Sequence, residues 1–305
     1  MKIPLFDAHC DTLHVLATAR EAHSLMENRF HVDLRRGMRY SPWAQVFALY
    51  AQGPEAPRIY GKMLDVFRSE TERHAEFITH CRNGGDASRA AQKGKCAAFL
   101  SVEGAEQLSC SEEELEKAAD LGVRAVNPTW NHANVLSGSN AEEPERGLSE
   151  KGRAFVRTCG RRGVLVDVSH LSDPGFWDVI EIPECRVIAS HSNARALCGH
   201  PRNLTDDMFR ALCERGGVAG LNFCPRFLGE EPDVDTMVRH LEHFLDLGGE
   251  KHVGIGADLD GIGEMPKGFS GVQDVEKLWL RLRDLGYGEE LLRDLFYFNF
   301  MRAFA

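Results

Sequence analysis

His9 and Asp11 form an H-x-D pair at the end of a short apolar run beginning at Ile3. In an extended strand residues two apart point the same way, so this imidazole and carboxylate can share one cation. The doublet alone is a weak signal, since such pairs also occur on ordinary surfaces. Glu103 closes the run Phe99-Leu100-Ser101-Val102, where a bare buried carboxylate costs several kcal/mol and therefore needs a partner. His170 closes Val164-Leu165-Val166-Asp167-Val168-Ser169, and His191 closes Val187-Ile188-Ala189-Ser190. Either histidine alone would read as a core residue bonded to a carbonyl. Their equivalent placement, together with His9, Asp11 and Glu103, points instead to a metal centre. Imidazole and carboxylate are ligands that Zn²⁺ accepts, and an incomplete shell leaves room for water. Asp258 ends Gly254-Ile255-Gly256-Ala257, whose small residues let the backbone approach a ligand closely.

These residues need a scaffold that brings strand ends together. Short apolar runs alternate with helical patterns, which argues for a parallel sheet. Eight strands are expected, at Ile3–His9, Gln45–Tyr50, Cys96–Val102, Arg124–Pro128, Val164–His170, Val187–His191, Val218–Phe223 and Val253–Asp258. Helices are expected between them, including a long one over Ile59–Cys81 and one or two over Val275–Phe304. Ser111-Glu112-Glu113-Glu114 reads as a capping box. Met237, Leu241, Phe244 and Leu245 recur at helical spacing before Gly248-Gly249. Eight β-then-α units without repeat or linker predict an α/β fold, a (β/α)8 TIM barrel in one domain spanning 1–305. Its C-terminal face would carry the site. An open doubly wound sheet should show a glycine-rich phosphate loop, and none is present. The polar loop Asn134–Arg146 is expected over the barrel mouth. His240 and His243 are expected on a solvent-facing helix surface, and Trp43, Trp177 and Trp279 in packing.

Composition excludes several classes. The 36 basic and 46 acidic residues give a formal charge of −10, and no basic stripe offers itself to a nucleic-acid backbone. No apolar run approaches the roughly 18 residues that a membrane span needs. The opening Met1-Lys2-Ile3-Pro4-Leu5-Phe6 lacks the apolar core and cleavage site of a signal peptide. The nine cysteines include no C-x-x-C pair; reduced thiols and a cytoplasmic location are expected.

The chain resembles the membrane (renal) dipeptidase family of metal-dependent amidohydrolases, in its bacterial-type form. The resemblance runs through Asp7-Ala8-His9-Cys10-Asp11, Ser101-Val102-Glu103-Gly104, Val166-Asp167-Val168-Ser169-His170, Ser190-His191-Ser192-Asn193-Ala194, Arg202-Asn203-Leu204-Thr205 and Gly254-Ile255-Gly256-Ala257-Asp258-Leu259-Asp260-Gly261. It implies two zinc ions per chain, one held by His9 and Asp11 and the other by His170 and His191. Glu103 and a hydroxide would bridge them. It further implies that Arg202 pairs with the substrate's terminal carboxylate and that Asp258 handles protons. The family's substrate histidine follows the fourth strand directly after Thr. Here Thr129-Trp130-Asn131-His132 offsets it, leaving His132 as the one candidate.

Paired divalent ions bring a shared water near neutrality in pKa, so no Ser or Cys nucleophile is required, and no nucleophile elbow is seen. The expected activity is zinc-dependent hydrolysis of small dipeptides, with a D-residue at the C-terminal position left open. Two other readings stay open: a same-fold hydrolase of another amide such as a lactam or N-acyl amino acid, and a zinc-binding protein without turnover. The expected partner is a small dipeptide-like substrate, with neither nucleic acid nor membrane; a homodimer is also left open.

Overall fold

The computed structural model describes residues 2–21, 23–53 and 55–305; Met1 of the opening segment lies outside them. Among these residues the apolar runs form nine parallel strands. They are β1 (Leu5–Cys10), β2 (Trp43–Tyr50), β3 (Ile78–His80), β4 (Cys96–Glu103), β5 (Val123–Asn127), β6 (Leu165–Asp167), β7 (Val187–Ile188), β8 (Ala219–Leu221) and β9 (Val253–Ile255). Eight of them run in the order β7-β6-β5-β4-β2-β1-β9-β8, and a parallel bridge between Ala189 and Ala219 joins the two ends of the path. The ring is a TIM barrel with helices outside. Each of the eight expected runs overlaps one of its strands, although β1, β2, β4 and β5 each extend one or two residues past the expected bounds.

The ninth strand, β3, lies where a single long helix was expected. That helix covers Ala56–Arg73 and stops; Ile78 is then fully buried and β-branched Thr79 follows it into the sheet. β3 pairs with Cys96–Ala98 of β4, while β5 takes Leu100–Glu103 along the rest of the same edge. The Ser111 box also differs from expectation. Ser111 is the N-cap of Glu112–Leu121 but makes no side-chain cap bond. The reciprocal pair forms instead at Asp233 and Thr236, opening the helix Val234–Asp246.

β1 carries the local feature that aims the site. Leu5, Phe6 and Asp7 pair in step with Trp43, Ala44 and Gln45, but Cys10 pairs with Phe47, so one extra residue bulges from β1. Leu5 and Cys10, five apart, consequently both pack in the outer cluster with Phe47. A bulge reverses which face later side chains occupy. Phe6 and Ala8 point into the barrel before it, and His9 and Asp11 join that interior after it.

Below the site, the barrel floor is aromatic. Phe6 stacks on Phe99 and Phe300, with ring centroids 5.7 Å apart in each case, and Phe304 lies 5.3 Å away. Phe300 and Phe304 come from the chain's last helical segment, which follows a wider π turn over Asp294–Phe298. Asn299 Nδ2 donates to the Glu250 and Val253 carbonyls, tying that segment to β9. Gly254 and Gly256 were expected to admit a ligand; they admit protein instead. A Cβ at Gly254 would stand 2.4 Å from the Phe300 ring, and one at Gly256 would stand 1.7 Å from the Ser190 carbonyl oxygen.

Candidate metal centre

His9 lies within β1 and Asp11 just after it, Glu103 ends β4, His170 and His191 follow β6 and β7, and Asp258 follows β9. All six stand at C-terminal strand ends, and the five expected ligands are 1–5% exposed. Glu103 is central. Its Oε1 lies 2.9 Å from His170 Nε2 and 3.6 Å from His191 Nε2, whereas its Oε2 lies 3.6 Å from His9 Nε2. His9 Nε2 is in turn 3.4 Å from Asp11 Oδ2. The carboxylate therefore divides its two oxygens between two groups of donors, His9 with Asp11 and His170 with His191.

The ring protons follow from the far side of each imidazole. His170 Nδ1 lies 3.1 Å from Asn131 Oδ1, an atom that only accepts. His191 Nδ1 lies 2.6 Å from Ser190 Oγ, and the Ser190 hydroxyl donates to Asp167 Oδ2. Both Nδ1 atoms thus carry the proton, and both Nε2 lone pairs face inward, 3.1 Å apart and beside Glu103 Oε1. Of the chain's donors, Arg202 Nη2 reaches His170 Nε2 at 3.1 Å. His9 Nε2 and Asp11 Oδ1 are buried with no hydrogen-bond partner. Acceptors crowded in this way call for a cation. Donors about 2 Å from one tetrahedral ion lie about 3.3 Å from each other, close to the spacings here, so the residues fit a divalent metal. Asp167 also lies near His9 and His191. Its oxygens are already taken by the N–H and hydroxyl of both Ser169 and Ser190, which makes it a support for His191.

Charge inside the cluster is displaced strongly. Burial raises the Glu103 carboxyl, but His9 and His170 outweigh it and hold it well below the usual range. Burial and Arg202 push His170 down to about 4. Burial pushes Asp258 up to about 7; His9 opposes this, while Asp11 and Glu103 add to it. Asn222 Nδ2 donates to Asp258 Oδ2 at 3.0 Å. A Cβ at Gly261 would stand 2.2 Å from Asp11 Oδ2 and 2.5 Å from Asp258 Oδ1, so only glycine fits between these two carboxylates.

A cavity of about 610 Å³ opens over the cluster, with Asp11, Glu103, His170, Arg202 and Asp258 in its wall beside Tyr50, Trp130 and Asn131. Arg202 is 5% exposed and packs its guanidinium 5.4 Å from the Phe227 ring centroid. His132 does not join the lining. Its side chain is 64% exposed and pairs with Glu142 at 3.3 Å, while Trp130 and Asn131 take the inward positions. The loop 134–146 does lie at the mouth: Asn140 N donates to the His170 carbonyl at 3.0 Å. His240, expected in solvent, is 1% exposed; its Nδ1 accepts from Ala194 N and its Nε2 bonds the Leu228 carbonyl. His243 is half-buried and pairs with Asp206 at 2.8 Å. Trp43 and Trp279 are buried as expected, but Trp177 is exposed.

Sequence reading missed Asn131, Asp167, Ser190 and Asn222. Asp167 did leave a signal, a carboxylate inside an otherwise apolar strand. Asp260 is a further omission: it accepts from Thr12 Oγ1 and from His31 N, both at 2.6 Å, pinning two mouth loops together.

Comparison with known proteins agrees with this geometry. A metallo peptidase from Rhodobacter sphaeroides, solved with a phosphinate mimic of the dipeptide L-Ala-D-Ala, superposes with a TM-score of 0.92 at 27% identity, covering 100% of this chain and 99% of its own. A protein from Klebsiella pneumoniae, described only as uncharacterized and encoded in the pqqA 5′ region, is 33% identical over 80% of this chain and 96% of its own length. Dipeptidase tcpJ of Claviceps purpurea is 29% identical over 89% of this chain and 68% of its own. Among the described residues no helix is long and apolar enough to cross a membrane. Residues 1–305 match the profile of the membrane dipeptidases, peptidase family M19, and with its histidines and carboxylates gathered at the barrel mouth the chain belongs to that family.

Proposed function

We propose that this protein hydrolyses the amide bond of small dipeptides at a centre of two zinc ions, and that it accepts a D-residue at the C-terminal position. The observation that carries the reading is the division of Glu103, one oxygen toward His9 and the other toward His170 and His191. His9 and Asp11 would hold one ion and His170 and His191 the other, with Glu103 between them. When bound, such a pair supplies Lewis acidity toward the amide carbonyl and brings a water near neutrality in pKa. Acceptance of a D-residue draws support from the L-Ala-D-Ala mimic described for the Rhodobacter sphaeroides enzyme.

The chain's own groups do the rest. Arg202, buried beside the cluster, offers a planar fork to the terminal carboxylate and so fixes which amide lies over the donors. Asp258, raised to about 7, takes a proton from the attacking water near neutral pH and passes it to the leaving nitrogen. Asn222 holds that carboxylate in place. His132 keeps no substrate role in this scheme.

Metal-free protein, verified by elemental analysis, should not cleave L-Xaa-L-Xaa or L-Xaa-D-Xaa dipeptides, and added Zn²⁺ should restore cleavage. Equal rates before and after loading would overturn the proposal. Asp258→Asn should retain both ions and lose about 10²-fold or more in kcat; loss of metal instead would make Asp258 a ligand.

A further inference from the structure

The proposed reaction employs one guanidinium of the cavity and leaves a second without a task. Arg226 lines the same space, on the short helix Pro225–Leu228 that follows β8. Among the described residues it forms no ion pair with a carboxylate, although 46 acidic residues outnumber 36 basic ones in this chain. On its own segment its side chain interacts with the Cys224 thiol. The Arg226 Cζ lies 6.0 Å from the Phe227 ring centroid, and the Arg202 Cζ lies 5.4 Å from that same centroid. One aromatic ring therefore carries two cations. Arg202 feels Asp258, Glu103 and Asp167; Arg226, at the rim, has no comparable anion bonded to it.

We propose that Arg226 is a specificity determinant that receives the side-chain carboxylate of a C-terminal Asp or Glu, so that dipeptides ending in an acidic residue are preferred. The inference rests on the reading of Arg202 as the partner of the terminal carboxylate. In Asp and Glu the two carboxyl carbons are separated by two and three tetrahedral carbons, a short span. Two guanidinium groups packed on one ring can bracket that span, each meeting one carboxylate with charge-assisted hydrogen bonds. A neutral side chain at this position would leave Arg226 in water, with nothing gained. Among the described residues Glu264, also in the cavity wall, likewise forms no ion pair. It comes from the loop after β9 and carries the opposite charge, so selection for an acidic side chain belongs to the part of the wall built after β8.

The test compares near-isosteric pairs that differ in charge, on the full-length zinc-loaded protein: L-Ala-D-Glu against L-Ala-D-Gln, and L-Ala-L-Glu against L-Ala-L-Gln. For the better-used hand, kcat/KM should favour Glu by about fivefold or more, the upper end for a partly solvated ion pair. The preference should reside in KM and shrink as salt is raised. In R226Q the Glu/Gln ratio should fall to about one, whatever happens to the absolute rates, and R226K should keep part of it. A ratio that R226Q leaves unchanged, or a parent enzyme with no preference for Glu, overturns the inference while leaving dipeptide hydrolysis intact. Failure to cleave any of the four peptides with zinc verified in place removes the dipeptidase reading, and this inference with it.

Discussion

The two histidines of the second donor group are oriented by neutral contacts on their outer edges, and those contacts explain why Asp167, a carboxylate outside the proposed ligand set, belongs to the site. Asp167 holds the Ser190 hydroxyl, and that hydroxyl accepts from His191 Nδ1. The chain of bonds selects one tautomer and presents the Nε2 lone pair to the cluster. In Asp167→Asn the amide nitrogen would meet N–H or O–H donors it cannot accept, and the buried negative charge would be gone. Zinc affinity should fall about 10–100-fold at the half of the site that holds His191, with the His9 half retained. Competition against a calibrated chelator reads this directly. Two ions held as tightly as in the parent would remove Asp167 from the support of the metal. Asn131 does the same for His170 through an amide oxygen. Neither role could be read from residue types, because each arises only when side chains from different strands or loops are brought into contact. That the five proposed ligands would gather was readable for the opposite reason: they are ionisable residues standing at the ends of apolar runs.

At the level of the strand, alternation told that His9 and Asp11 share a face but not which face. The extra residue between Asp7 and Cys10 leaves no mark in composition, yet it turns both side chains inward. The helix expected over 59–81 failed for a related reason. Its second half continues the charged, mixed pattern of its first, and only pairing with Cys96–Ala98 makes residues 78–80 a strand. The helix Val234–Asp246 hid its histidine similarly. His240 lies under the loop that follows His191, and burial lowers its pKa below the ordinary 6.5, with only the Leu228 carbonyl bond resisting. The sign follows from proton counting. Below pH 6.5 the unfolded chain binds a proton there that the folded chain does not, so stability is full above that value and declines as pH falls toward the folded pKa. His240→Gln should flatten the dependence of the urea midpoint on pH between 7 and 5, on metal-loaded protein. An unchanged slope would assign that dependence to other groups.

For the whole molecule, the barrel separates its work between its ends. Ionisable groups occupy the strand C-termini, and the opposite end is filled by Phe6, Phe99, Phe300 and Phe304. Eight alternating runs made the barrel legible from sequence, since each strand buries an apolar segment long enough to see. The aromatic floor was not legible, because it joins residue 6 to residue 300 and no local pattern records such a contact. Phe300→Ala should cost about 3–5 kcal/mol of unfolding free energy, as buried aromatic truncations do, while the metal-to-protein ratio stays at the parent value. A denaturant midpoint within error of the parent would show that the floor contributes little to the fold. The same contact sets an order of events during synthesis. A ribosome releases Phe6 long before it has made Phe300 and Phe304, so the first strand waits for its covering while the whole stretch between them is translated. Until Phe300 and Phe304 emerge, the nascent chain carries an open greasy end, and that interval is when a chaperone would find it.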